Sequence, residues 1–350
     1  VSVVRQGDRT PVMADVARLA GVSLQTVSRV VNGAPHLRPA TRAKVEEAIA
    51  QLGYRPNPAA RSLVTRRSGT IGLIATKSEF YGPSTIHRAV QGAARDAGYF
   101  VSAVDLAEVT RGSLAEAVEH LRDQRVEAIV MNAANDESIE IARRQETGGV
   151  PVVVVEGDLS RAGLTVGVDQ RAGALLAAEH LLGLGHTRIA HVAGPQEWTE
   201  ARARLDGWRT ALHVAGLRPP EPLTGDWTVA SGYAAGRRLA ADLGVTAVFV
   251  ANDHMAIGVL HALHEAGRAV PDDLSVVGFD DLPESAYLLP ALTTVRQDFA
   301  AVGRRAIELL QAALGPGGPA PGGRLLRPEL VRRASTAPVP DSPRDPRRTP

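Results

Sequence analysis

Residues Val12 to Gly33 place the tightest constraint on what this chain can become. Val16, Ala17, Leu19 and Ala20 recur at helical spacing, and Val27, Val30 and Val31 recur the same way a few residues later. Between the two runs stands Gly21, which readily takes the positive φ of a sharp helix stop. Ser23 follows where a hydroxyl caps the next helix by accepting an orphan amide. The spacing therefore predicts two short helices around a glycine turn. With the valines turned inward, Leu24, Gln25, Ser28 and Arg29 are left on the outer face. Such a face, presented from the first turns of a braced helix, suits the major groove of DNA. An ordinary helical hairpin has the same periodicity, so the motif alone leaves both readings open.

The formal net charge of +1 hides a division. Residues 1–68 hold 11 Lys/Arg and 4 Asp/Glu, a balance of +7; the remainder holds 28 and 34, a balance of −6. A basic head on an acidic body suggests that the head meets a polyanion. The 350 residues, 44% of them hydrophobic, suffice for two or three domains with sizeable cores. The absence of cysteine excludes disulfides and thiolate metal sites. No apolar run approaches the ~20 residues of a membrane span. Arg5, Asp8 and Arg9 stand where a secretory leader would be apolar, so a cytoplasmic location is expected.

A third helix is predicted over Pro39 to Leu52, with Val45, Ala48, Ile49 and Leu52 as its apolar face. Val64 to Gly69 reads as a polar, basic linker. From Thr70-Ile71-Gly72-Leu73-Ile74-Ala75 onward, short apolar strands alternate with amphipathic helices. Strands are predicted at 100–104, 128–132, 152–156, 188–193, 247–251, 275–280 and 293–295. Helices are predicted near 84–98, 113–124, 137–147, 170–185, 201–216, 230–243, 253–267 and 298–314. This alternation argues for parallel sheets covered on both faces, but does not say whether there is one large sheet or two smaller ones. Leu325 to Val331 reads as a last strand. Beyond Arg333 the chain is rich in Pro and Arg and is expected to be disordered.

The two-helix motif, the third helix and the segment Gly53-Tyr54-Arg55-Pro56-Asn57-Pro58-Ala59-Ala60-Arg61-Ser62-Leu63 together resemble the LacI/GalR family of bacterial transcription regulators. The resemblance runs from about Val12 to about Leu330. It implies a small all-α helix-turn-helix headpiece and an α/β two-lobed body like a periplasmic binding protein, with parallel sheets covered by helices on both faces. The expected parts are a helix-turn-helix domain at 11–56, a hinge helix and linker at 57–69, a first lobe at 70–168 plus 297–331, a second lobe at 169–296, and a disordered tail at 332–350. Crossings between lobes are expected near 168–172, near 296 and again near the end.

The resemblance also assigns roles. Gln25 and Arg29 would read bases, glutamine pairing with adenine and arginine with guanine. Leu24 would touch a thymine methyl, while Thr26, Ser28 and Asn32 would hold phosphates. Tyr54, Asn57, Ala60 and Leu63 would extend the DNA surface. Pro58 to Leu63 would be a hinge helix too short to stand alone in water, with Leu63 entering the minor groove and Ala60 permitting close approach. Val12 departs from the family's capping threonine, leaving Thr10 as a substitute cap.

In the body, Thr76, Phe80, Glu156, Arg204, Trp227, Asn252, Asp280 and Gln297 would line a ligand cleft. Asn252 and Asp280 follow apolar runs, at strand ends where open α/β sheets bind ligands. Arg204 offers a planar fork, and Trp227 a ring for the C–H face of a sugar. Asp253 is expected to cap the helix that follows. Glu156 stands where close relatives carry a shorter acid, and Val168 where some carry an aromatic.

These residue types favour a neutral, hydroxyl-rich effector over a phosphate. No catalytic set, phosphate-binding glycine loop or ligand-spaced histidine cluster is present, so neither enzyme activity nor cofactor nor metal is expected. His186 is expected to order a turn. The implied protein is a homodimeric repressor of a pseudo-palindromic operator, controlled by a small sugar and without membrane contact. The alternatives are a regulator corepressed by a purine or other metabolite, and a ligand-binding protein without DNA function.

Overall fold

The computed structural model describes residues 11–31, 37–55, 67–76, 79–107, 109–132, 139–140, 149–157, 163–316 and 322–339. The chain divides into two units, Val1–Gly69 and Thr70–Pro350.

The first unit holds α1 (Met13–Ala20), α2 (Leu24–Val31) and α3 (Pro39–Leu52). Gly21, at φ 65°, ends α1 in the left-handed conformation, and Ser23 Oγ accepts the Thr26 amide at 3.2 Å to start α2. Val12 has no side-chain acceptor; instead Asp15 Oδ2 accepts the Val12 amide at 3.0 Å, so the first turn is tied from the other end. Thr10 lies outside the described residues. Val16, Val27, Val30, Val45 and Ala48 close on one another as the core, as their spacing predicts, with Val31, Ile49 and Leu52 packed half-buried against it.

The second unit carries two sheets. Their strands are β1 (Thr70–Thr76), β2 (Phe100–Leu106), β3 (Ile129–Asn132), β4 (Val152–Val155), β5 (Leu164–Val168), β6 (Ile189–Ala193), β7 (Leu223–Thr224), β8 (Ala247–Val250), β9 (Ser275–Asp280), β10 (Thr293–Arg296), β11 (Gly322–Leu326) and β12 (Glu329–Val331). The helices are α4 (Tyr81–Asp96), α5 (Arg111–Asp123), α6 (Gln170–Gly183), α7 (Thr199–Val214), α8 (Val229–Ala241), α9 (Asp253–Glu265) and α10 (Phe299–Leu314). The first sheet has the order β11-β5-β4-β3-β1-β2, all parallel. The second has the order β12-β10-β9-β8-β6-β7, parallel except where β12 runs antiparallel to β10.

Strand side chains alternate between faces, so each sheet builds two cores. In the first sheet Ile71 and Leu73 meet Val90 and Val302 of α4 and α10, while Ile74 and Met131 meet Leu114 and Leu121 of α5. In the second sheet Val248 and Val250 meet Leu239 and Val259 of α8 and α9, while Phe249 and Val277 meet Leu181 and Trp208 of α6 and α7. Helices α8 and α9 approach at Gly232 and Gly258, where an added Cβ would lie 2.1 Å from the carbonyl oxygens of Met255 and Val229 respectively.

The chain passes between the sheets after β5, after β10 and after β11. Three expectations change. The single strand expected over 325–331 is two: β11 closes the first sheet and β12 the second. Pro328 sits between them, and without an N–H it cannot continue a ladder. Residues 329–331, expected with the first lobe, thus belong to the second sheet. The tail expected to be disordered is ordered as far as 339. Ser335 is buried; its Oγ donates to Val276 O at 2.6 Å and accepts the Thr293 amide at 2.8 Å. The Val339 amide donates to Leu184 O at 3.0 Å. Composition suggested disorder, but Ala334, Ser335, Ala337 and Val339 find hydrogen-bond partners on and beside the second sheet. Strands β5 and β7 were not expected. Most of the helix expected at 137–147, and residues 340–350, lie outside the described residues.

Candidate functional site

In the first unit, α2 presents Leu24, Gln25 and Arg29 to solvent, and Leu24 is 53% exposed. Thr26 and Ser28 are half-buried, and Thr26 Oγ1 shares a hydrogen bond with Ser23 Oγ at 2.9 Å. Tyr54 is placed differently: it is 8% exposed and packs into the headpiece core, so its ring serves packing first. Asn32, Asn57, Ala60 and Leu63 lie outside the described residues.

In the second unit, strand ends from both sheets converge on a cleft. Its lining includes Phe80, Glu156, Arg204, Trp227, Asn252, Asp280 and Gln297, seven of the eight residues expected there. Thr76 is the exception. It is fully buried, and its hydroxyl donates to Asn132 O at 3.2 Å, bracing β1 against β3 rather than lining the space.

The polar lining is a connected network. Glu156, just past β4, accepts the Val168 amide and Gln170 Nε2, both at 3.1 Å. Gln170 Nε2 also donates to Gln297 Oε1 at 2.8 Å, and Gln297 Nε2 donates to Asp280 Oδ1 at 2.7 Å. Arg204, on the second turn of α7, donates from Nε to Gln170 Oε1 at 2.9 Å and from Nη1 to Ala251 O. Its Nη2 lies 3.6 Å from Asp280 Oδ1. Its guanidinium also stacks over Phe279, 3.9 Å from the ring centroid, with the Trp227 centroid 5.5 Å away. Asn252 caps α9 by accepting the Met255 amide at 2.9 Å, and holds Trp227 O through Nδ2 at 3.1 Å. The cap expected of Asp253 therefore belongs to Asn252. Asp253 is buried one residue on, accepting the Leu282 amide at 3.0 Å and the hydroxyls of Ser285 and Thr294, both at 2.6 Å.

Aromatic rings form the apolar wall. Phe80 meets Trp198 edge-on at 5.5 Å, and Trp198 meets Trp227 edge-on at 5.8 Å. Trp227 is seated over Gly194, where a Cβ would lie 2.1 Å from the ring. Glu156, Trp227 and Asp280 all hold positive φ, at 63°, 73° and 109°. Strain of this kind costs on the order of 1–3 kcal/mol per residue and collects at ligand sites, where the surroundings over-determine it.

Electrostatically, carboxyls outnumber their counter-ion. Burial pushes Glu156 up to about 8, reinforced by the neighbouring Glu200 charge and opposed by the Val168 amide. Burial also raises Asp280, against the pull of Arg204, and raises Glu200. Burial lowers Arg204, while Asp280 holds its charge in place. Three buried polar atoms of residues lining this cleft have no hydrogen-bond partner among the described residues: the donors Asn132 Nδ2 and Trp227 Nε1 and the acceptor Glu200 Oε2.

Sequence reasoning missed Asn132, Gln170, Trp198 and Glu200. Trp198 and Glu200 had a usable signal, since Glu200 lies one turn before Arg204 and shares its face. Gln170 and Asn132 had none, because only the fold brings the ends of β3 and β5 to Arg204. His186 does more than order a turn: its ring joins Thr246 Oγ1 and Ala337 O, both at 3.0 Å, holding the C-terminal segment. His191, stacked between Trp208 and Phe249, is pushed by burial to about 3 and is a neutral core group. Among the described residues no cluster of His, Cys, Asp and Glu could hold a metal ion, and no helix is long and apolar enough to cross a membrane.

Comparison with known proteins agrees with this geometry. Residues 12–57 match the family described as bacterial regulatory proteins, lacI family, and residues 178–336 match the periplasmic binding protein-like domain. The lactose operon repressor of Escherichia coli K12 is 37% identical over 326 residues, 92% of this chain and 89% of that protein. The crystal structure of a lac repressor dimer bound to operator and the anti-inducer ONPF superimposes with a TM-score of 0.84 at 36% identity, covering 94% of this chain and all of that one. A complex of the transcriptional regulator CelR with cellobiose gives a TM-score of 0.69 at 32% identity, covering 93% of this chain and 99% of that one.

Proposed function

This chain belongs to the lacI family of bacterial regulatory proteins, DNA-binding transcriptional regulators rather than enzymes, and from that premise we propose that it is a cytoplasmic homodimeric repressor whose hold on a pseudo-palindromic operator is set by a small neutral sugar in the cleft of its second unit. The observation that carries the effector class is the pairing of unsatisfied donors and an unsatisfied acceptor with an aromatic wall around one cleft. Hydroxyls meet both demands, and tryptophan faces accept sugar C–H groups. A phosphate would satisfy the two donors but not the acceptor, and its charge finds no free cation, because Arg204 is already committed to Gln170, Ala251 and Asp280.

Gln25 and Arg29 read bases, Leu24 meets a thymine methyl, and Thr26, Ser28 and Asn32 hold phosphates. Residues 57–69 form the hinge and linker, with Asn57, Ala60 and Leu63 against DNA. Phe80, Glu156, Arg204, Trp227, Asn252, Asp280 and Gln297 contact the sugar. Relatives named for lactose control and solved with cellobiose support the sugar class.

The deciding experiment pairs a thermal-shift panel of lactose, cellobiose, galactose, glucose and adenine with gel-shift titration on inverted-repeat DNA. A neutral sugar should raise the melting temperature of the protein and change operator affinity 5–150-fold, the usual span of an allosteric coupling of about 1–3 kcal/mol. Response to adenine alone would favour the corepressed, purine-type regulator. Leu63→Ala should weaken operator binding by about tenfold or more with sugar binding intact, since the minor-groove wedge is lost; unchanged gel-shift affinity would remove the hinge from the mechanism.

A further inference from the structure

Glu200 stands on the first turn of α7, one turn before Arg204, and both line the cleft. Its two oxygens have different surroundings. Oε1 accepts the backbone amide of Gly157 at 3.1 Å. Gly157 follows β4 of the first sheet, whereas α7 packs on the second, so this bond spans the cleft. The edge-on pair of Phe80 and Trp198 makes a second crossing. Oε2 is sealed from solvent and has no partner among the described residues.

A buried carboxylate oxygen without a donor is expensive; Glu200's own amide and the Thr199 hydroxyl favour the charged carboxylate but close no hydrogen bond on Oε2, which leaves that oxygen to a ligand group. Arg204 does not supply it, since its nitrogens go to Gln170, Ala251 and Asp280. Glu156 and Asp280 add two further carboxyls around the same space.

We infer that Glu200 couples the effector to closure of the two lobes: Oε1 ties the second lobe to Gly157 of the first, and Oε2 accepts a hydroxyl hydrogen of an uncharged sugar, which holds the carboxylate in the orientation that keeps the tie. This rests on the sugar reading of the cleft and adds a selection rule. A sugar carrying phosphate or carboxylate at that end would set an anion against Glu200 and is refused.

The chain has no cysteine, so a D96C/R209C pair at exposed positions on α4 and α7 gives two clean spin-label sites, one per lobe. Distances are measured on the full chain, alone and with lactose, cellobiose, galactose, glucose or glucose 6-phosphate, alongside titration calorimetry. Glu200→Ala removes both functions, so the unliganded distance should lengthen and broaden, and sugar should no longer narrow it. Glu200→Gln keeps the Oε1 acceptor but turns the cleft-facing atom into a donor. Its unliganded distances should match the unsubstituted protein while sugar affinity falls by about tenfold or more. Glucose 6-phosphate should leave the unsubstituted protein unchanged and be excluded less by Glu200→Gln, where the opposing charge is gone; equal exclusion by both would overturn the selection rule. A Glu200→Ala distribution identical to that of the unsubstituted protein, or full sugar affinity in Glu200→Gln, overturns the inference. If no neutral sugar binds the unsubstituted protein, the sugar reading and the ligand half of this inference both fail, while the Glu200→Ala distances still decide the tie to Gly157.

Discussion

Arg204 is held by hydrogen bonds to Gln170 and Ala251, an ion pair with Asp280 and a stack on Phe279. It therefore lines the cleft and also serves as an internal brace. Arg204→Ala should abolish the sugar response and also destabilise the second unit by about 3–5 kcal/mol, because Asp280 is left buried without its cation. Operator binding without sugar should survive; retained sugar-dependent release in a gel shift would move the pocket elsewhere. Glu156 gives a pH signature. The unfolded chain loses this proton near the ordinary carboxyl value of 4.5, but the fold holds it to about 8. Between those values the unfolded state binds fewer protons, so the contribution to stability is fully present below 4.5 and lost as pH rises through about 8. Melting curves of the unsubstituted protein should therefore fall relative to Glu156→Gln across that window, and parallel curves would contradict it. Residue identities in the cleft were readable from the resemblance at seven positions. Thr76 differed because residues alternate along β1, and its side chain is taken by Asn132 O.

At the level of elements, the amphipathic period was enough to place α1, α2 and α3 and all but one of the helices expected in the body. A helix buries a stripe that recurs every three to four residues, and that recurrence is local. Short strands carry less signal. β7 has two residues, and β5 contains a glycine and sits at a crossing, so neither stands out. Helix α2 also makes a separable prediction. Gln25 and Arg29 are exposed, so replacing either by alanine should leave headpiece melting unchanged. Each replacement should relax discrimination at one base pair per half-site by about 1–3 kcal/mol. Competition against operators altered symmetrically one position at a time would reveal this; a uniform loss across all sequences would make the residue a phosphate contact.

Over the whole second unit, three passages between sheets make the lobes mechanically dependent on each other. The last passage and its extension to 339 matter beyond connectivity. Ser335 satisfies both the Thr293 amide and the Val276 carbonyl, while Arg333 donates to Asp281 at 2.6 Å, next to Asp280 of the cleft. Ser335→Ala, which removes only the hydroxyl, should lower stability by about 1–3 kcal/mol. Denaturant unfolding followed on the full chain would register this as a lower midpoint. An unshifted midpoint would mean that the segment merely rests on the sheet.

Local order in the amino acids was sufficient for the helix-turn-helix, the alternation of strands and helices and the basic head, because periodicity, capping and charge act between near neighbours, while the cleft residues were legible only through the family resemblance. It was silent on the split of 325–331 between two sheets, on the ordered segment at 332–339, and on the meeting of Glu200 with Gly157. Those depend on which distant backbone groups come within hydrogen-bonding reach, and that proximity exists only once both sheets have closed.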